Sequence, residues 1–249
     1  MTGLSWGPMA ATSSALQGRL GWAIGIVVVV LAGVNVADYR VPHATLVLGP
    51  AGAAALLVLA RWAGLSWQEL GLGQGTWRRG LTWAVAEIGA VAVVFAAGAA
   101  LPATRSAFRD ARYHHGWGQA LLTAFVLIPV GTVLFEEVAF RGVLWGLLKR
   151  VRGTWTATIV SSALFGLWHV LPSLGLAANN EALGSAVGKS TSGQAVSVLG
   201  TVLFTSLAGV LFCELRRRSG SLLAPAGLHW ATNALGVLAA AAVWGWASG

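Results

Sequence analysis

The sequence predicts an all-α fold, a polytopic bundle of about seven transmembrane helices. Of its 249 residues, 56% are hydrophobic and only 10% are charged, whereas a soluble domain has about 25% charged residues. The mean hydropathy is +0.72. Several apolar runs approach the ~20 residues that a helix needs to cross about 30 Å of hydrocarbon. These three observations exclude an ordinary soluble protein.

Seven apolar stretches account for the predicted spans, and we treat the whole chain, 1–249, as one integral membrane domain. The stretches are 20–37, 45–60, 81–101, 117–148, 155–171, 195–215 and 222–246. Each must form a helix, because an isolated strand in lipid could not satisfy its backbone N–H and C=O groups. The first stretch is longer than the apolar region of a signal peptide and residues 1–18 carry no positive side chain, so we predict a retained span.

The basic residues predict the orientation of the bundle. Seven spans place ten basic residues on one side: Arg19, Arg61, Arg78, Arg79, Lys149, Arg150, Arg152, Arg216, Arg217 and Arg218. Five fall on the other side: Arg40, Arg105, Arg109, Arg112 and Lys189. The richer side is cytoplasmic by the positive-inside rule, so the N-terminus is predicted inside. The net charge of +8 then indicates contact with anionic lipid rather than with nucleic acid.

Charged residues inside the fourth span carry most of the information about function. Each buried charge costs roughly 2.5–3.5 kcal/mol on insertion, unless it is paired. Glu137 and Arg141 are four residues apart with the acid first, which favours a structural ion pair within the helix. Glu136 is left without a cation in its own helix and is therefore a candidate general base. Glu87 in the third span either lines a cavity or bonds to another helix.

Two further polar pairs have helical spacing. Phe165 and His169 share one face of the fifth span, and His229 and Asn233 share one face of the seventh. Counted from the cytoplasmic helix ends at ~1.5 Å per residue, Glu136, His169 and His229 lie about 20, 24 and 12 Å deep. We therefore predict that these side chains converge on one buried polar cavity.

This set of residues permits two mechanisms of amide hydrolysis. In the first, Glu136 and His169 position and deprotonate a water molecule, while His229 and Asn233 stabilise the oxyanion. In the second, Glu136, His169 and His229 bind Zn²⁺ as an open three-ligand site, and Glu137 or a neighbouring residue acts as the base. The residues leave both mechanisms open, so the cofactor is either zinc or none.

The motifs resemble those of a known family. Glu136-Glu137-x-x-x-Arg141, Phe165-x-x-x-His169 and His229-x-x-x-Asn233 occur in that order on late spans. They are similar to the motifs of the CPBP (CAAX protease and bacteriocin-processing) family, also called Abi or type II CAAX prenyl endopeptidase-like. The resemblance covers roughly residues 117–240. It implies an intramembrane endopeptidase, glutamic or metal-dependent, with its catalytic core in the last four spans.

Carried over by position, the resemblance assigns water activation to Glu136 and His169. It assigns oxyanion stabilisation to His229 and Asn233, and supporting roles to Glu137, Arg141 and Phe165. The expected partners are membrane lipid and a membrane-associated peptide or protein substrate. The Gly- and Ala-rich composition indicates a bacterial inner membrane, where prenylated substrates are not expected. The alternatives are a non-catalytic membrane interaction or bacteriocin-immunity protein and an ion-coupled transporter, for which buried carboxylates are typical.

Overall fold

The computed structural model describes residues 7–114 and 116–247, with side chains described from residue 17 to residue 246. Within these residues the fold is all-α, as predicted, and the one β-type contact is an isolated bridge between Asp110 and Asn180. We label the long helices α1 (Gly7–Arg40), α2 (Thr45–Trp62), α3 (Trp77–Ala100), α4 (117–152), α5 (154–168), α6 (Thr191–Ser219) and α7 (Leu223–Trp246).

Short elements fill the connections between the long helices. Single 3₁₀ turns occur at Gln74–Thr76, Arg105–Phe108 and Ala111–Tyr113. Two short helices, Leu176–Asn179 and Glu181–Val187, lie in the connection from α5 to α6. These connections place the loops at the two ends of the bundle.

Among the described residues, six helical segments are long and apolar enough to cross a membrane, and the fourth of them, Trp117–Trp168, has 52 residues. This segment folds back at Gly153, where φ is 80° and ψ is 175°, a conformation that favours glycine. Ser161 donates a hydrogen bond of 3.0 Å to the carbonyl oxygen of Phe140. A straight helix would hold these residues about 31 Å apart. Hence α4 and α5 form an antiparallel hairpin, and the number of helices that cross the bilayer stays a prediction.

Wide π-helical turns interrupt the two helices that carry the predicted polar motifs. They occupy Thr123–Leu127, Pro129–Val133 and Glu137–Leu144 in α4, and Ala231–Leu235 in α7. Such turns are rare and are often found at functional sites. Here they lie on both sides of Glu136 and include Asn233, so they set the directions of these side chains.

Apolar residues fill the centre of the bundle and also cover its outside. Phe135, Leu144 and Leu147 of α4 are completely buried, whereas Val29, Val47 and other large apolar residues are exposed. An apolar outer surface is what a lipid environment requires. The structure thus agrees with the multi-pass membrane protein that the composition predicts.

Small residues bring α5 and α6 into close contact, and we expect Gly166→Ala to destabilise the protein. A β-carbon on Gly166 would lie only 2.6 Å from the carbonyl oxygen of Val202. Overpacking of this kind costs about 1–3 kcal/mol. The measurement is the unfolding free energy in detergent. The matched control is Gly200→Ala, because a β-carbon on Gly200 of α6 meets nothing within 4 Å. Equal stability of the two variants would contradict this interpretation of the contact.

Candidate active site

Glu136 of α4 is buried, with 5% of its surface exposed, and its two carboxylate oxygens differ in their surroundings. Oε1 accepts a hydrogen bond of 2.9 Å from the indole N–H of Trp168, at the end of α5. Oε2 accepts no hydrogen bond from any residue that the structure describes. The carboxylate is therefore held at one oxygen, while the other oxygen is buried without a hydrogen-bond partner among the described residues.

His229 of α7 lies between the two glutamates of α4. Its Nδ1 donates a hydrogen bond of 2.8 Å to Oε1 of Glu137, and its Nε2 lies 3.8 Å from Oε2 of Glu136. The imidazole is 3% exposed. Because Glu137 holds Nδ1, the ring is oriented with Nε2 towards the free oxygen of Glu136.

Arg141 forms the predicted ion pair with Glu137, and its Nη1 lies 3.0 Å from Oε1 of that carboxylate. The guanidinium is completely buried. Its Cζ lies 3.8 Å from the ring centre of Phe165 and 4.6 Å from that of Phe212. Aromatic faces attract a cation in this arrangement. The two rings thus compensate a charge whose Nε and Nη2 lack hydrogen-bond partners among the described residues.

His169 follows the last residue of α5 and points its Nδ1 at the carbonyl oxygen of Phe165, 2.8 Å away. A carbonyl oxygen can only accept a hydrogen bond, so Nδ1 carries the proton. In the neutral ring, Nε2 then keeps its lone pair. The local bond to Phe165 therefore presents Nε2 as a base or ligand atom.

A cavity of about 870 Å³ connects these groups, and its wall includes Glu136, Trp168, His169 and Asn233. Asn233 is exposed in the wide turn of α7. His229 is buried beside Glu136 and is not among the residues that line the cavity. The predicted convergence is thus observed for Glu136, His169 and Asn233 on the wall, with His229 directly behind Glu136.

The cavity extends to the loops at one end of the bundle, where Asp38, His43 and Asp110 line it. At this end, the loop before α4 and the segment after α5 are joined by a hydrogen bond and an ion pair. Asn180 donates a hydrogen bond of 3.0 Å to the carbonyl oxygen of Ala107. An ion pair of 3.3 Å also joins Arg109 to Glu181. These contacts fix the loop that leads into α4 against the segment that follows α5.

The predicted metal ligands are Glu136, His169 and His229. Within residues 7–114 and 116–247, no three His, Cys, Asp or Glu side chains are grouped so that they could hold a metal ion. His229 is bound through Nδ1 to Glu137, and His169 is bound through Nδ1 to Phe165, so in each ring Nε2 is the atom that a metal would bind. The zinc mechanism stays a prediction.

Sequence reasoning missed two residues that contact this site. The sequence offered one reason to place Trp168 near a polar group: a buried indole N–H normally has a hydrogen-bond acceptor, which here is Glu136. The sequence offered no such reason for Phe212 of α6, since nothing in the local pattern separates it from other apolar residues of that span. Glu87 fulfils neither of its predicted roles: it does not line the 870 Å³ cavity, and its oxygens bond to no described residue.

Comparison with protein-family models matches residues 117–235 to the family described as type II CAAX prenyl endopeptidase, Rce1-like. This segment contains α4, α5, α6 and the part of α7 that carries His229 and Asn233. The match confirms the family resemblance that the motifs predict. Searches of curated proteins and of solved structures found no match.

Proposed function

From the match of residues 117–235 to the Rce1-like type II CAAX prenyl endopeptidases, we propose that the protein is an intramembrane endopeptidase of a membrane-associated peptide or protein. The family implies a protease. The apolar helices and the family together indicate a multi-pass membrane protein. One observation supports the assignment to this site most strongly: Glu136 lines the large cavity together with His169 and Asn233, and its Oε2 accepts no hydrogen bond from a described residue. Glu137 also has an oxygen without a described hydrogen-bond partner, but it does not line the cavity.

In the proposed reaction a water molecule binds between Glu136 and His169. Oε2 of Glu136 takes a proton from this water, and the lone pair on Nε2 of His169 accepts its second hydrogen bond. The water oxygen attacks the carbonyl carbon of the scissile peptide bond. Glu136 then delivers the proton to the departing amine, so that protons balance over the cycle.

The negative oxygen of the tetrahedral intermediate needs hydrogen-bond donors. We assign one donor to the side-chain amide of Asn233, which is exposed on the cavity wall. His229, which the sequence predicts as the second donor, lies behind Glu136 and outside the cavity wall, so we propose that it orients Glu136, and Asn233 is the side-chain donor assigned to the oxyanion. Glu137, Arg141 and the rings around them act as positioning residues for His229.

The cavity also supports the class of substrate. Its volume of about 870 Å³ lies in the range of ligand sites, about 300–1,000 Å³. It is open at the loop end, so a peptide segment at the membrane surface can reach Glu136.

We propose a bacterial inner membrane, with the N-terminus cytoplasmic, as the location.

The test compares peptide termini in membranes of the native host expressing either the wild-type protein or Glu136→Gln at equal levels. We expect new termini only with the wild-type protein, and these termini identify the substrate and its cleavage site. If Glu136→Gln is folded and sustains every function of the wild-type protein, the chain is a non-catalytic binding protein and the proposal fails.

We also expect hydrolysis to be independent of bound metal, because the described His and carboxylate side chains do not group as metal ligands. Purified protein dialysed against a strong chelator should cleave the identified peptide within about twofold of the untreated rate. Total metal content, measured by elemental analysis, is the second readout. Loss of cleavage after chelation, with recovery on adding Zn²⁺ alone, would contradict the expectation and favour the zinc mechanism.

A further inference from the structure

A second cavity, of about 460 Å³, lies at the opposite end of the bundle from the loops that border the first. Its wall combines the end of α4, the end of α6 and the loop between α2 and α3. The side chains that matter for its chemistry are Glu69, Trp145, Lys149, Arg150, Arg216 and Arg217. We call this space the basic cavity. It shares no lining residue with the candidate active site.

The wall of the basic cavity has an excess of positive charge. Four cationic side chains face one carboxylate, that of Glu69, which pairs with Arg150 at 3.0 Å. Arg217 pairs with Glu214, which lies outside the wall, at 2.6 Å. Lys149 pairs with no carboxylate in the described part of the chain. The cavity therefore retains positive charge that an anion would compensate.

Arg216 adds a buried charge that pairs with no carboxylate among the described residues. Only 4% of its surface is exposed. Its Nη2 donates to the backbone carbonyl oxygens of Gln68 and Glu69, at 3.3 and 2.8 Å. Carbonyl oxygens satisfy the donor but leave its net charge in place. Burying an uncompensated cation is expensive, which favours binding of an anion beside it.

Trp145 holds two of these cations on the same wall. The Nζ of Lys149 lies 5.0 Å from the ring centre of Trp145, and the Cζ of Arg216 lies 5.6 Å from it. The indole N–H is itself bound to Thr158 at 3.2 Å, which fixes the ring. The positive charges are thus arranged around a rigid aromatic centre.

The position of the basic cavity identifies the source of the anion. Its walls come from the ends of apolar helices and from the loop between two of them, which is the depth of lipid headgroups. Trp62, Trp67 and Trp77 at this end are 55%, 48% and 57% exposed. Exposed tryptophans of this kind mark the membrane interface. Basic pockets between helices at this level bind anionic headgroups.

We propose that the basic cavity binds the phosphate group of an anionic membrane lipid. Lys149 and Arg216 are the principal cations for the phosphate, and Arg150 and Arg217 form the rim. The lipid chains would continue along the apolar outer surface of α4 and α6. This site is independent of the proposed peptidase activity.

The test measures binding to the purified full-length protein in detergent by native mass spectrometry. The two lipid probes are phosphatidylglycerol and phosphatidylcholine, and a third titration uses inorganic phosphate. We expect preferential binding of phosphatidylglycerol. Lys149→Gln should weaken it about fivefold, the effect of one basic residue near an anionic surface. Lys149→Arg, which keeps the charge, should bind within about twofold of the wild-type protein.

Lys189→Gln is the matched control, because it removes an exposed positive charge outside the basic cavity and should leave binding unchanged. Melting temperatures of all variants show whether each is folded. Equal binding of the two lipids, or unchanged binding in Lys149→Gln, would overturn the proposal. Displacement of the bound lipid by millimolar inorganic phosphate would overturn the lipid as the ligand and identify a site for a soluble anion.

Discussion

Glu136→Gln is expected to lower kcat for cleavage of the peptide substrate by about 10²- to 10⁴-fold, the usual contribution of a general base. The amide oxygen of glutamine can still accept the hydrogen bond from Trp168, but the side chain can no longer take a proton from water. KM should change by less than threefold, because the shape of the cavity is retained. The measurement is steady-state hydrolysis of the peptide identified from the new termini.

The control for this variant is Glu181→Gln, which makes the same change in the exposed ion pair with Arg109. It should keep kcat within about threefold of the wild-type value, since an exposed pair contributes at most about 1 kcal/mol. Both variants should melt within a few degrees of the wild-type protein. A Glu136→Gln protein with near wild-type kcat would show that another group activates the water.

Arg141→Met is expected to reduce the free energy of unfolding by about 3–5 kcal/mol, the cost of breaking a buried ion pair by removing one partner. The reason is the environment of Glu137. Without the guanidinium of Arg141, the carboxylate of Glu137 remains buried at 2% exposure. It keeps the hydrogen bond from His229 but no longer faces a positive partner in its own helix. The measurement is unfolding in mixed micelles. We also expect loss of cleavage, because His229 depends on Glu137 for its orientation.

Arg218→Met provides a comparison with the same sequence spacing. Arg218 and Glu214 are also four residues apart, but their side chains are 59% and 34% exposed. We expect this variant to lose no more than about 1 kcal/mol. Equal losses of unfolding free energy in Arg141→Met and Arg218→Met would show that burial does not determine how much the Glu137–Arg141 pair stabilises the protein.

Helical periodicity and hydropathy predicted most of the architecture. The apolar stretches coincide with the long helices to within a few residues, except that α1 begins well before its predicted start at residue 20. The predicted separation of 117–148 from 155–171 matches the turn at Gly153. The pair Glu137 and Arg141 was accessible for the same reason, since both members belong to one helix. Local spacing suffices for such features because the α-helix fixes which residues share a face.

The contacts between helices were beyond the reach of that reasoning. Glu137 and His229 are 92 positions apart, and Trp168 and Glu136 are 32 apart. Which side chains meet across helices depends on the rotation of each helix about its axis. In α4 and α7 the wide turns change that rotation, whereas the depth estimate assumed a regular helix. Sequence spacing therefore predicted a common cavity but placed His229 on its wall rather than behind Glu136.

The hairpin at Gly153 has a consequence for biosynthesis. Each intramembrane charge in α4 costs roughly 2.5–3.5 kcal/mol when a translocon releases the helix into lipid. Glu137 and Arg141 neutralise each other as soon as their own turn forms. Glu136 has no such local partner, and its indole donor is synthesised 32 residues later, on the returning arm. Lateral release of α4 should therefore wait until α5 has left the ribosome, so that the nascent hairpin enters the bilayer as one unit.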